Sequence, residues 1–189
     1  MELDRRKEKK SKIEGHSMIK DQTIYSYRLL YRFKWGGIGY LVQIILLIGL
    51  IAFLFHQFNL SLVDLIASVV ILVVPFFHLV LYRVHGWIVQ ARIRMSWSSF
   101  LSSWWGASSI TPVSLSFFRQ AEMVTCLGSL LISLGLSAWL PLSYAVCLSA
   151  ATFVSLLPRL VSVAISFRYP HKAHVKYEKT SIAFLLTDG

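Results

Sequence analysis

Only two cysteines, Cys126 and Cys147, occur in 189 residues. Both fall inside long apolar stretches, toward opposite ends of them. A disulfide needs Cα atoms within about 7 Å, so two free, buried thiols are expected, and two are too few for a cysteine zinc site. Acidic residues are also scarce, 9 against 19 basic ones, for a net charge of +10. Catalytic strings are missing: there is no His-Glu-x-x-His, no Gly-rich phosphate loop, no Gly-x-Ser-x-Gly and no Cys-x-x-Cys. A cleavable signal peptide is not visible either. The charged N-terminal region is far longer than a signal's, and the first apolar run has full span length, so it is expected to stay as an uncleaved anchor.

What the chain has in abundance is hydrocarbon: 56% hydrophobic residues and a mean hydropathy of +0.61. That composition indicates an integral membrane protein. A bilayer core needs about 20 apolar residues per helix, and four stretches qualify: 37–55, 62–82, 121–140 and 143–167. The connections 56–61 and 140–142 are short, so the spans pair as two antiparallel hairpins. Pro75 and Pro158 lie within spans and should kink them or free a carbonyl. Asp64 is expected to cap the start of the second span. The expected fold class is therefore an all-α membrane protein of four transmembrane helices.

The charge is confined to particular segments. Residues 1–36 form a basic N-terminal segment, the loop 83–120 carries Arg83, Arg92, Arg94 and Arg119, and the tail 168–189 carries Arg168, Lys172, Lys176 and Lys179. Neither short turn holds a Lys or Arg. The positive-inside rule then places both termini and the middle loop in the cytoplasm of a multi-pass cell-membrane protein. Beside spans, a basic segment implies the bilayer's anionic headgroups as partner, at roughly 1 kcal/mol per residue, rather than nucleic acid. Within the loop, Trp97, Phe100, Leu101, Trp104 and Trp105 alternate with serines at helical spacing. This predicts an interfacial helix, a linker or a gating segment, with a β-hairpin running on through residues 110–113 as the alternative. Residues 181–186 read as a short C-terminal cytoplasmic strand.

Few polar groups inside the spans could do chemistry. Thr125, Ser129, Ser133 and Ser137 recur every fourth residue, as do Cys147, Ala151 and Ser155; such small faces let helices approach closely in lipid. Four residues on from Ser155 is Arg159, a costly intramembrane charge. It either faces the interface and pairs with Glu122, or snorkels to the headgroups on its long stem. With His78 at similar depth, the candidate intramembrane polar cluster is His78, Glu122 and Arg159. His78 and His85 are seven apart, too long for the usual metal pair, and remain weak metal candidates. A rhomboid-like pairing of Ser155 or Ser162 with His78 has nothing local to mark either serine as activated.

The layout resembles a family of small bacterial membrane proteins classed as zincin-type peptidases, related in pattern to site-2 proteases. The resemblance covers residues 40–188 and is carried by PFFHLVLYRVHG, the aromatic-Ser loop ending near Pro112, LLPRLVS, and the tail KAHVKYEKTSIAFLLTDG. It implies paired spans, a His pair ending the second, and an acidic zinc ligand in the last, often after Pro. Here His78 is followed four later by Tyr82, His85 is preceded four earlier by Leu81, and Pro158 is followed by Arg159. Catalytic zinc normally has three protein ligands and an open position, so the resemblance implies the scaffold without the metal site. The expected protein binds no cofactor and acts by binding in the membrane, with another membrane protein as the candidate partner. The alternatives are a divergent intramembrane metalloprotease using zinc on His78, His85 and Glu122, or a small transport or assembly subunit.

Overall fold

The computed structural model describes residues 27–91, 93, 102, 104–106 and 108–187. In chain order β1 (Tyr27–Lys34) precedes α1 (Gly36–Gln57). A 3₁₀ segment (Leu62–Leu72) runs directly into α2 (Val73–Ile88). Then come β2 (Val113–Ser114), α3 (Leu115–Ser137), α4 (Leu142–Ser166), β3 (Ala173–Tyr177) and β4 (Ser181–Thr187). Four helical stretches are long and apolar enough to cross a membrane: Gly36–Gln57, Ile66–Ile88, Leu115–Ser137 and Leu142–Ser166.

The all-α expectation needs correcting. The protein is mostly helical, but four strands form one antiparallel sheet in the order β1-β4-β3-β2. The expected terminal strand is β4, and it is the sheet's inner partner to β1 and β3. The signal for β3 was in the sequence: Ala173, Val175 and Tyr177 alternate with His174 and Lys176, and the first three are buried. β1 was hidden inside what reads as a basic tail. A bulge between Leu29 and Tyr31 resets its alternation, so that Tyr31 and Phe33 stand opposite Phe184 and Ile182.

The helix ends follow local chemistry. Ser114 caps α3 by accepting from the Phe117 amide at 3.3 Å, which starts this helix six residues before the expected span. Asp64 accepts from the Ser61 amide at 3.0 Å and its hydroxyl at 2.8 Å, opening the 3₁₀ segment as a cap should. Pro75 is the third residue of α2, directly after the 3₁₀ segment, and having no N–H it leaves a carbonyl of that segment without its helical donor. It marks the change from 3₁₀ to α geometry rather than a mid-helix kink.

The bundle is organised around α4, whose buried residues include Cys147, Ala150, Ala151, Ser155 and Ser162. These small side chains let the neighbouring helices pack close. α3 runs antiparallel to α4, α1 and the 3₁₀ segment lie against it, and α2 packs mainly on α3. Within the first expected hairpin, Ile51 and Leu47 of α1 pack with Ala67 and Val70 of the 3₁₀ segment against Cys147 and Ala150 of α4, and a half-open cavity of about 730 Å³ lined by Leu47, Ile51, Phe55 and Ile71 lies alongside. Hydroxyls inside the bundle bond to their own helices: Thr125 to the Ala121 carbonyl, Thr152 to Leu148, Ser155 to Thr152 and Ser162 to Arg159. That satisfies them without water. Both cysteines are free and buried.

The sheet covers one end of the bundle. Phe184, Ile182, Val175 and Tyr177 pack with Leu115, Phe118 and Ala121 of α3, Val163 of α4 and Tyr82 of α2. The amides of Trp35 and Gly36 both donate to the Thr180 carbonyl at 3.0 Å, which hangs the start of α1 from the β3–β4 turn. Arg119 of α3 donates from Nε to Ser166 Oγ at 3.0 Å and from its terminal nitrogen to the Ser166 and Tyr169 carbonyls. It therefore closes the C-terminal end of α4, where a cation is favoured.

Candidate functional site

One residue from each of α3, α4 and β3 meets beneath the sheet. Glu122 lies one helical turn past Phe118 and Arg159 one turn past Ser155, on the faces that α3 and α4 turn to each other. Arg159 Nη1 donates to Glu122 Oε2 at 2.8 Å and to Oε1 at 3.1 Å. Both side chains are essentially inaccessible, 0% and 1% exposed, which excludes snorkelling. The Tyr177 hydroxyl donates to Glu122 Oε1, and Arg159 Nη2 donates to the carbonyl of Trp104. A buried pair is tolerable only where its remaining donors and acceptors are met; Tyr177 and Trp104 help to meet them. Burial, and then the charge on Glu122, push the Tyr177 phenol well above its ordinary value, so it stays a donor.

His78 is fully buried nearby, but it bonds to neither charge. Its Nδ1 lies 3.0 Å from the carbonyl of Trp105. A carbonyl only accepts, so Nδ1 is the donor; Nε2 has no partner among the described residues. His85 instead packs against Phe117, with the ring centroids 5.5 Å apart and the planes tilted by 32°. Because α2 is unbroken from Val73 to Ile88, the two histidines stand about 10 Å apart along its axis at 1.5 Å per residue. They cannot share an ion. Among the described residues no three His, Cys, Asp or Glu side chains are grouped to hold a metal. Ser155 and Ser162 both donate to their own helix, and neither is hydrogen-bonded to His78.

The middle loop departs most from expectation. Most of the anticipated interfacial helix, including Trp97, Phe100 and Leu101, lies outside the described residues. Trp104 and Trp105, which were to float at the interface, turn into the protein. Trp104 is 1% exposed, rings with Tyr177 and Phe33, and donates its indole N–H to the Glu178 carbonyl at 3.0 Å. Trp105 packs beside Val74, Leu148 and Ala151. Gly106 lies so close to the Pro75 carbonyl that a Cβ there would collide with it, and its φ of +97° suits glycine.

Sequence reading missed Tyr177, Trp104, Arg119 and Gln43 as functional partners. Gln43 has an audible signal in retrospect. Pro158 has no N–H, so the carbonyl of Val154 four residues earlier loses its helical partner. The Gln43 side-chain amide, 1% exposed, donates to that carbonyl at 3.2 Å. The lone polar residue in the middle of α1 answers the lone proline in α4. No protein-family model matches the chain, and neither the curated proteins nor the solved structures yield a match.

Proposed function

We propose that this is a multi-pass cell-membrane protein that acts by binding within the bilayer and not by hydrolysis, built on a scaffold like that of the zincin-type peptidases. The observation that carries the reading is the engagement of Arg159 and Glu122: the guanidinium holds Glu122 and the Trp104 backbone, and the carboxylate receives Arg159 and Tyr177. A carboxylate tied in this way holds the bundle to its sheet; it is not poised over a substrate. A cation beside the carboxylate also opposes a metal there. Both termini face the cytoplasm, with the basic side chains of the sheet end near anionic headgroups. The partner is a segment of another membrane protein.

Metal analysis tests this. Protein purified in detergent, incubated with zinc and then desalted, is expected to retain no stoichiometric metal. One zinc per chain, lost when His78 and His85 are both changed to Ala, would establish the divergent metalloprotease instead.

A further inference from the structure

Trp104, Trp105 and Gly106 are irregular backbone that runs from the underside of the sheet, where Trp104 reaches the Glu178 carbonyl, in among the helices, where Gly106 meets Pro75. Pro75, against which Gly106 rests, lies 13 residues before the end of α2, or roughly 20 Å along its axis at 1.5 Å per residue. Non-helical backbone at such depth persists only where protein groups meet its carbonyls. Two successive carbonyls are met here by donors from two helices: Trp104 by Arg159 of α4 and Trp105 by His78 of α2. The Trp105 side chain packs beside Val74, Leu148 and Ala151. This is how a receptor holds a short peptide: donors for consecutive carbonyls and an apolar slot for the side chain between them. None of these contacts requires the occupant to be part of the same chain.

The occupant is also imperfect. Trp105 sits in the left-handed region at φ +44°, uncommon for a bulky residue and costly. Its buried indole nitrogen has no partner among the described residues, and neither does His78 Nε2. An unmet buried polar atom is itself destabilising. A peptide that reached the same two donors without the left-handed turn would bind better than the segment now in place.

We infer that Trp104-Trp105-Gly106 is an internal stand-in occupying a peptide-backbone site formed by His78, Arg159, Val74, Leu148 and Ala151. The ligand is an unwound, aromatic-bearing segment of another membrane protein, which displaces the stand-in as it enters. The inference rests on the binding reading above and supplies its ligand class.

The test uses the full-length protein in nanodiscs. Gly106→Val drives a side chain into the Pro75 carbonyl and unseats the segment. The probe is a capped, fluorescent peptide with the sequence of residues 102–108, Ser-Ser-Trp-Trp-Gly-Ala-Ser. It is expected to bind G106V saturably and the wild type about tenfold more weakly, with His78→Phe added to G106V costing about tenfold again. In a Cys147→Ser background, Cys126, four residues beyond Glu122, should react with N-ethylmaleimide faster in G106V and regain protection when peptide is added. Where circular dichroism shows G106V unfolded, Trp105→Ala takes its place with the same expectations. Equal peptide affinity for wild type and variant, or indifference to His78→Phe, overturns the inference. Zinc on the wild type would defeat the binding reading, so the two failures are distinguishable.

Discussion

At the scale of single residues, Arg159 is held by context and not by its own stem. Removing one partner of a buried pair strands the other charge, at about 3–5 kcal/mol, whereas replacing both with apolar residues is often neutral. Glu122→Leu and Arg159→Met are therefore each expected to lower the denaturation midpoint in detergent sharply. The double variant should recover most of the loss, and additive losses would contradict the role assigned to the pair. Tyr177 sets a limit on the alkaline side. The folded protein keeps the phenol protonated, while the unfolded chain releases that proton near the ordinary value of 10. Stability is thus independent of this group at lower pH and declines as pH rises past that value. Denaturation midpoints followed from about pH 8 to about pH 11 should fall at the upper end, and less steeply in Tyr177→Phe. Of these residues the sequence exposed Glu122 and Arg159, because charges stand out in hydrocarbon and helical periodicity aims them. It could not expose the partner at Trp104, since the acceptor is a backbone carbonyl that any residue would supply.

At the scale of elements, the contact between α1 and α4 depends on a proline. Interhelical hydrogen bonds inside membrane proteins average about 0.6 kcal/mol and reach about 1.7. Gln43→Leu should cost an amount in that range, measured by denaturation in mixed micelles. Pro158→Ala returns an N–H to the Val154 carbonyl, so Gln43→Leu on that background should cost nothing. An undiminished cost would mean that Gln43 acts through something else. Where α2 packs on α3, a Cβ on Gly128 would lie 2.9 Å from both methyls of Leu81, a half-buried side chain that can turn aside. Gly128→Ala is therefore expected to change stability by less than about 1 kcal/mol; a larger loss that Leu81→Ala relieves would show that Leu81 is held in place. The helices were legible because about twenty apolar residues in a row admit few other fates. The sheet was half legible: β4 and the alternation of β3 are plain, but β1 is concealed by its basic residues and by a bulge that breaks the period of two. The 3₁₀ geometry of Leu62–Leu72 left no mark that distinguishes it from an α-helix.

At the scale of the whole molecule, the sheet, the basic side chains Arg83, Arg119 and Arg168, and the Glu122–Arg159 pair all gather at one end. The turns at the other end, 58–61 and 138–141, carry no Lys or Arg. Reporter fusions are expected to show both termini in the cytoplasm, a fluorescent protein glowing and alkaline phosphatase inactive at either end. Active phosphatase at one terminus would overturn the proposed orientation.

β4 has a consequence for how the protein is made. Among the described elements β1 precedes the four long helices, and β4, which lies between β1 and β3 in the sheet, follows them. β1 therefore leaves the ribosome long before its neighbour exists. While the helices are being made it offers an unpaired edge, and the ends of α3 and α4 stand without their cover. The sheet closes only once β4 has been synthesised: a message cut short before β4 would yield the helices but leave β1 unpaired and the helix ends bare, a form that quality control can recognise.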